Sequence, residues 1–351
     1  MPENIELIIS LFFLAVTLIP FSNLQHWSVR VFDYIRLQLT GLFIVYAALL
    51  IFFDDNTSLI ALTIVACSIC LQFWVIAPYL IPKRRPKKIA KLKELHIISC
   101  NVYQYNRDYS EFNYLILKES PDFFCTLESD EKWEIAIDKS LSKTYPYSQK
   151  VAKDNTYGMH FYSKHEFNHV KTHYFLSTER PAIEVEFKLD NIDTFQIWIL
   201  HPPPPSPTEE STANKKNSEL LLAAKAIKKS KDSVLVIGDF NNVCWSRVTK
   251  LFAKTAILND ARKGRGLYSS FPAKYPPFSF PLDLVYHSEN LNITKLDTLE
   301  NIGSDHLPIS CHFQIKPACS LNNNELEYHE QEEVEELIQK GIEEELEEVE
   351  K

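Results

Sequence analysis

The amino-acid sequence predicts two packed β-sheets flanked by helices, carried behind an N-terminal helical transmembrane region. Two observations lead there. Residues 1–82 hold three uncharged, apolar stretches, Leu7–Val29, Leu37–Phe53 and Asn56–Pro82. From residue 94 to 317, short apolar runs succeed one another with few helical patterns between them, which is how stacked sheets of an α/β domain read.

An α-helix rises about 1.5 Å per residue, so roughly 20 apolar residues cross a hydrocarbon layer about 30 Å thick. On that measure the stretches predict three spans rather than two. The first contains Pro20 and turns polar at Ser22–Gln25, but it has no basic start and no small-residue cleavage site of a signal peptide. Orientation follows from the basic residues at the span ends. Glu3 and Glu6 precede the first span, Arg30 and Arg36 follow it, and Asp54 and Asp55 precede the third. Lys83, Arg84, Arg85, Lys87, Lys88, Lys91 and Lys93 come directly after it. A multi-pass protein is expected, with its N-terminus outside and its large domain on the cytoplasmic side. Residues 83–93 form a basic linker that could also lie on anionic headgroups.

The elements of the domain (94–317) follow in order. Leu95–Cys100 reads as a strand, Glu111–Glu119 as a helix, and Asp122–Leu127 as a strand after Pro121. Met159–Ser163, Ala182–Lys188 and Phe195–Leu200 are further strands. Residues 202–217 open with four prolines, which donate no backbone hydrogen bond, and continue with turn formers, so neither helix nor strand is expected. An amphipathic helix is expected at about 218–230, then strands at Ser233–Ile237, Leu282–His287 and Ile309–Phe313.

The net charge of −9 misleads. Residues 318–351 carry thirteen Glu against Lys340 and Lys351, a net of −11, which leaves about +2 for the rest of the chain. Leu326, Val334, Leu337, Ile338, Ile342, Leu346 and Val349 recur there at near-helical spacing. The tail is expected to be a helix or disordered, solvated rather than docked, and dispensable for catalysis; the alternative is a helix that binds a protein partner. Cys67 and Cys70 lie within an apolar run and the other five cysteines are scattered, so no zinc site or disulfide framework is read from them. Their odd number favours a reducing compartment.

Polar residues stand at the strand ends. Asn101 follows Cys100, Glu128 follows PDFFCTL, and His201 follows FQIWIL. Asp239 and Asn241 lie in GDFNN after VLVI, Asp283 in PLDLVYHS, and Asp305 with His306 in GSDHLPI. Each alone reads as a turn or a cap. Their order, one at the end of each expected strand, is what distinguishes them, because strand ends hold side chains rigidly at solvent.

This order resembles the endonuclease/exonuclease/phosphatase (DNase I-like) superfamily over about residues 94–315. TYPYS at 144–148, GMHFYSKHEF at 158–167 and SCNVY around Asn101 add to the resemblance. The resemblance implies a four-layer α/β sandwich. Trp245 and Ser246 after GDFNN, RPAIEV at 180–185 and LYSSFPA at 267–273 look like a membrane-tethered subgroup similar to teicoplanin-resistance phosphoesterases, for which a lipid-linked phosphate is the implied substrate.

For the site, the resemblance implies that Glu128 is the principal ligand of Mg²⁺ (Mn²⁺ as the alternative), with Asn101 and Asp305 completing the metal side. It implies that Asp239 orients and deprotonates the attacking water and that Asn241 hydrogen-bonds the phosphoryl oxygen. It further implies that His306 pairs with Asp283 as a cation, and that His201 contacts the phosphate or protonates the leaving oxygen. Tyr103 stands where abasic-site nucleases keep an aspartate, which argues against their activity. The expected function is hydrolysis of a phosphate ester or pyrophosphate near a membrane. One rival is a nuclease using Lys215, Lys216, Lys225, Lys228, Lys229, Lys231, Arg262, Lys263 and Arg265 on DNA or RNA, although a near-neutral domain speaks against it. The other is a non-catalytic scaffold.

Overall fold

The computed structural model describes residues 3–53, 58–83, 86–189, 193–317 and 326–349. Asp54, Asp55, Arg84, Arg85, Cys319 and the start of the acidic tail at 318–325 lie outside these. The N-terminal region folds as α1 (Glu3–Leu18), α2 (Trp27–Tyr34), α3 (Arg36–Phe53) and α4 (Leu59–Leu80). The domain begins with β1 (Glu94–Asn101), α5 (Tyr109–Glu119), β2 (Phe123–Leu127), α6 (Glu131–Leu141), β3 (Tyr147–Val151) and β4 (Met159–Ser163). It continues with β5 (His169–His173), β6 (Ala182–Phe187), β7 (Phe195–Ile199), α7 (Asn214–Ile227) and β8 (Ser233–Asp239). Then come α8 (Arg247–Thr255), β9 (Asn259–Asp260), β10 (Asp283–His287), β11 (Leu291–Thr298) and β12 (Ile309–Ile315), and the tail is α9 (Tyr328–Val349).

The strands form two six-stranded sheets, ordered β11-β12-β1-β2-β4-β3 and β5-β6-β7-β8-β10-β9. Each is antiparallel except for one central parallel pair, β1 with β2 and β7 with β8. The sheets pack face to face through Ile97, Phe123, Phe161, Ile199, Leu235 and Val285. The outer face of the first sheet is covered by Phe112, Ile116, Trp133 and Ile137 of α5 and α6. Leu221, Ala224, Leu251 and Phe252 of α7 and α8 cover the second. That is the four-layer sandwich. The central strands are buried on both faces, so they read as unbroken apolar runs rather than alternations. Each such Leu, Ile or Phe contributes ~1.5–3 kcal/mol when removed from water.

Side-chain caps fix the helix starts: Asp130 accepts from the N–H of Trp133 and Ser246 from that of Thr249. One expectation shifts. The helix after the prolines begins at Asn214, inside the stretch expected to be irregular. Its first turn is polar yet buried, because Lys215 reaches Glu210 and Glu348 while Lys216 reaches the Asn241 carbonyl.

The three expected spans become fewer. Among the described residues one helix, Leu59–Leu80, is long and apolar enough to cross a membrane. A second would be Trp27–Tyr34 with Arg36–Phe52, a pair bent by 69°. The first apolar stretch is shorter, because α1 ends in a 3₁₀ turn at Ile19–Phe21 containing Pro20. The Arg30 guanidinium turns back to satisfy the freed carbonyls of Pro20, Ser22 and Leu24 at 3.0, 2.6 and 2.7 Å. Exposed apolar side chains nevertheless concentrate on α1, α3 and α4, among them Phe12, Ile44, Phe52, Ile60 and Trp74.

The acidic tail is docked, contrary to expectation. Val334, Leu337 and Ile338 of α9 are buried against the α7–α8 layer. Its glutamates pair with the domain: Glu330 with Lys254, Glu333 with Arg247, Glu335 with Lys225 and Glu345 with Arg180. Gly341 permits the closest approach, since a Cβ there would lie 2.3 Å from the Ser218 Cβ and 2.7 Å from the Asn214 carbonyl oxygen. We therefore expect Gly341→Leu to push α9 off α7 and cost about 1–3 kcal/mol. Thermal melting of the full-length protein checks this, and an unchanged melting temperature would show that α9 is not seated there.

Candidate active site

The site is built where the two sheets meet at their strand ends. Asn101 closes β1 and Glu128 follows β2 in the first sheet, while Asp305 and His306 precede β12. Asp239 ends β8 and Asp283 begins β10, and these two are direct cross-strand partners in the second sheet. His201 lies just past β7. Only the packing of one sheet on the other brings these two groups together.

Asn101 is the bridge between them. Its Nδ2 donates to Glu128 Oε1 at 2.8 Å and to Asp239 Oδ2 at 3.1 Å, while its Oδ1 accepts the N–H of Tyr103 at 3.0 Å. His306 Nδ1 lies 2.8 Å from Asp283 Oδ2, and its Nε2 lies 3.6 Å from Asp239 Oδ2. His201 Nε2 lies 3.9 Å from the same Asp239 oxygen. Asp239 Oδ1 accepts the N–H of Asn241 at 2.8 Å, and Asn241 Nδ2 donates to the Pro202 carbonyl at 3.0 Å. Asp305 is half-buried beside Ser304, close enough to act electrostatically on both Glu128 and His306. All eight residues singled out in the sequence thus converge, although the Asn241 amide faces partly away toward Pro202.

Local backbone geometry explains the motifs. Gly238 takes φ +150°, and a Cβ there would lie 2.1 Å from the Leu200 carbonyl oxygen, so the first residue of GDFNN lets β8 pass beside the end of β7. Tyr103, Glu128 and Asn241 adopt left-handed backbone, at φ +56°, +57° and +46°. For Tyr and Glu that conformation costs about 1–3 kcal/mol, and such strain collects at functional sites.

Burial and neighbouring charge set the protonation states. Desolvation, reinforced by Asp239 and Asp305, pushes the Glu128 carboxyl up to about 7 against the opposing Asn101 hydrogen bond. Burial works against a charged His306, but Asp283 and Asp239 outweigh it and hold the imidazolium up to about 10. Burial likewise disfavours a charged Asp283, yet His306 keeps its carboxyl below the ordinary range. His201 is lowered by burial, so it is neutral, and its Nδ1 has no hydrogen-bond partner among the described residues.

Two metal positions compete. Asp239, Asp283 and His306 hold ligand atoms within 4.8 Å of one another. His306 as an imidazolium carries protons on both nitrogens and has no lone pair to give. Glu128, with Asp239 and Asp305 nearby, instead offers hard oxygen donors in a place where a carboxylate is destabilised without a cation. A divalent metal fits that side.

Several participants were not among the eight site candidates read from the sequence, Arg262 having been expected only as a cation for nucleic acid. Ser304 Oγ ties the Asn101 carbonyl to the His306 loop, at 2.7 Å and 3.1 Å. Ser270 Oγ accepts the Asp283 N–H, and the buried Arg262 guanidinium binds the Asp283 carbonyl. Phe271 lies 4.7 Å from the His306 ring and Tyr157 5.4 Å from the His201 ring. Their only sequence signal is adjacency to the motifs, as in SSF at 269–271 and GSDH.

Comparison with known proteins places the domain in a family. The Endonuclease/Exonuclease/phosphatase family profile matches residues 98–306. No curated protein matches the sequence. Similar solved structures include a Bacteroides vulgatus endonuclease/exonuclease/phosphatase (14% identity, TM-score 0.54, covering 64% of this chain and 100% of that one). Humanized D. rerio TDP2 is 15% identical, with a TM-score of 0.53 and coverage of 63% and 98%. The human Nocturnin catalytic domain is 18% identical, with a TM-score of 0.51 and coverage of 64% and 95%. At such identities the likeness is one of fold. The family match spans more than half of the 351 residues, and the chain therefore belongs to the endonuclease/exonuclease/phosphatase family, as a hydrolase acting on phosphate-ester bonds.

Proposed function

We propose that this hydrolase is a membrane-anchored, Mg²⁺-dependent phosphoesterase acting on a phosphate ester or pyrophosphate of a lipid-linked substrate. One observation carries the lipid reading. The loop Ser270–Phe280, closed at its base by an antiparallel Phe271–Phe280 bridge, touches both the candidate catalytic centre and the apolar helices. On one side Phe271 packs on His306, and the Ala273 N–H donates to the Asp305 carbonyl at 2.7 Å. On the other side Gln38 of α3 donates to the Pro277 carbonyl at 3.4 Å and Tyr34 of α2 packs on Phe280. Tyr275 and Phe278, 63% and 62% exposed, stand on the loop between them. Exposed aromatics continuous with an apolar helix suit a bilayer interface.

The nucleic-acid alternative loses four of its nine cations. Lys215 and Lys225 pair with tail glutamates, and Lys216 and Arg262 are buried.

In the proposed mechanism Glu128 with Asn101 and Asp305 would hold Mg²⁺, which supplies charge neutralisation at a phosphoryl oxygen. Asp239, fixed by the Asn101 amide and the Asn241 N–H, aims and deprotonates water. The His306 imidazolium, kept charged by Asp283, faces the phosphate. His201, being neutral, donates an N–H to a phosphate oxygen rather than acting as a cationic acid. The remaining N–H of the Asn241 amide is the one available to the phosphoryl group.

Three outcomes test this. Asp239→Ala or His306→Ala should lower metal-dependent phosphate release roughly 10²–10⁴-fold with the fold retained. Purified full-length protein, screened against lipid pyrophosphate, nucleotides and plasmid DNA, checks it; nicking of DNA without phosphate release would favour the nuclease. Tyr275→Asp with Phe278→Asp should cut turnover of a bilayer-embedded substrate about tenfold and leave a soluble phosphoester unaffected; equal losses on both would remove the interface role. The third concerns pH. Because His306 is raised to about 10, its stabilising charge is fully present below the ordinary histidine value of about 6.5 and is lost as pH climbs toward 10. In EDTA, wild-type melting temperature should therefore fall more between pH 7 and 10 than that of His306→Gln.

A further inference from the structure

A cavity of about 610 Å³ opens where the apolar helices meet the domain, and none of the eight catalytic candidates lines it. Its walls come from the turn after α1, from α2 and α4, from the starts of α7 and α8, and from α9. Its buried and half-buried lining includes four cationic side chains, Arg30, Arg36, Lys216 and Lys250, with one carboxylate, Asp33, while the exposed Arg247 lines it further out, paired with Glu330 and Glu333. Arg30 and Arg36 share that carboxylate at 3.4 and 3.1 Å. Lys216 reaches only neutral oxygens, the Asn241 carbonyl at 3.1 Å and the Tyr34 hydroxyl at 3.3 Å. The Lys250 ammonium has no hydrogen-bond or ion-pair partner among the described residues.

Uncompensated buried cations are costly unless an anion joins them. Burial pushes Lys216 down to about 7 and lowers Lys250 as well. The α9 wall does bring Glu332, Glu333 and Glu336 to the rim. Glu333 is engaged by Arg247 and Glu336 by Lys340, and Glu332 and Glu336 are exposed, where solvent and salt screen them. The floor remains electropositive. The volume falls within the range of small-ligand sites. Phe21, Trp74 and Val75 of the apolar region also line it, which, resting on the membrane-anchored reading proposed above, sets it beside headgroups.

We infer that this cavity is a second anion site, separate from the catalytic cluster, that takes a phosphate group, either the headgroup phosphate of an anionic phospholipid or a free phosphate. The ligand would sit against Lys216, which with Tyr34 holds the carbonyl of Asn241 (2.6 Å from the Tyr34 hydroxyl) and thus the GDFNN loop.

The test uses the full chain in detergent, with EDTA so that the catalytic centre takes no metal and an Asp239→Asn background so that nothing is turned over. Inorganic phosphate, or phosphatidylglycerol against phosphatidylcholine in mixed micelles, is titrated while binding and melting temperature are read. Phosphatidylglycerol or phosphate should raise the melting temperature by several degrees. Lys250→Glu should weaken that binding at least tenfold, Lys250→Arg should retain it, and Glu332→Gln should leave it unchanged. A response to phosphatidylglycerol alone identifies a headgroup site, and a response to phosphate alone a soluble ligand; both support the inference. Should Lys250→Glu fail to fold, Lys250→Ala carries the same expectation. The inference is overturned if neither probe binds, if the Lys250 variants bind as the parent does, or if Glu332→Gln alone abolishes binding.

Discussion

His306 is charged in the interior only because Asp283 and Asp239 face it, and those two carboxylates stand opposite one another on adjacent antiparallel strands of the second sheet. His306 itself belongs to the first sheet, as do Asn101 and Glu128. The candidate catalytic cluster is therefore a seam between two sheets, and it exists only when they are pressed together. The apolar core between the sheets, running from Ile97 and Phe123 to Leu235 and Val285, is what applies that pressure. Asn101 sits at the junction, bonded to a carboxylate from each side. A shift of one sheet against the other would separate the imidazolium from Asp239 while leaving each sheet intact.

The rest of the molecule is arranged around the second sheet's outer layer. Helix α7 is covered by the acidic tail, and its first turn is gripped by the N-terminal segment, where Asn217 donates to Gln25 at 3.0 Å; in the loop before α8 the Trp245 indole donates to the Asp33 carbonyl at 2.8 Å. Tyr79 of α4 donates to the Cys244 carbonyl at 2.6 Å. The apolar helices are thus joined to the loop after Asp239 by buried hydrogen bonds rather than by a slack linker. Hydrogen bonds in such surroundings resist competition from water and fix orientation. This arrangement ties the loop after Asp239 to the apolar helices.

Much of the fold was legible. Strands buried on both faces, such as β1, β2, β7 and β8, appear as apolar runs because neither face meets water. The strands that escaped notice, β3, β5, β9 and β11, lie at or beside sheet edges and carry polar residues such as Gln149, Lys150, His169 and Lys171. Helices α6 and α8 also went unread, although Asp130 and Ser246 are sound caps. The three apolar stretches gave too many spans, since window hydrophobicity does not register the break at Pro20 or the bend between α2 and α3.

By itself the sequence determined which chemical groups are present and the strand ends that carry them, because backbone periodicity and glycine geometry are local properties. It could not decide which atoms meet. The Asp283–His306 pair spans 23 residues and the Asn101–Asp239 contact 138, and such distances are set by sheet packing. The destiny of the tail was likewise a tertiary matter. A glutamate-rich helix reads as solvated until its partners, Lys254, Arg247, Lys225 and Arg180, are found on a surface assembled from separate parts of the chain. Charge complementarity acts across space, and a linear sequence records only one side of it at a time.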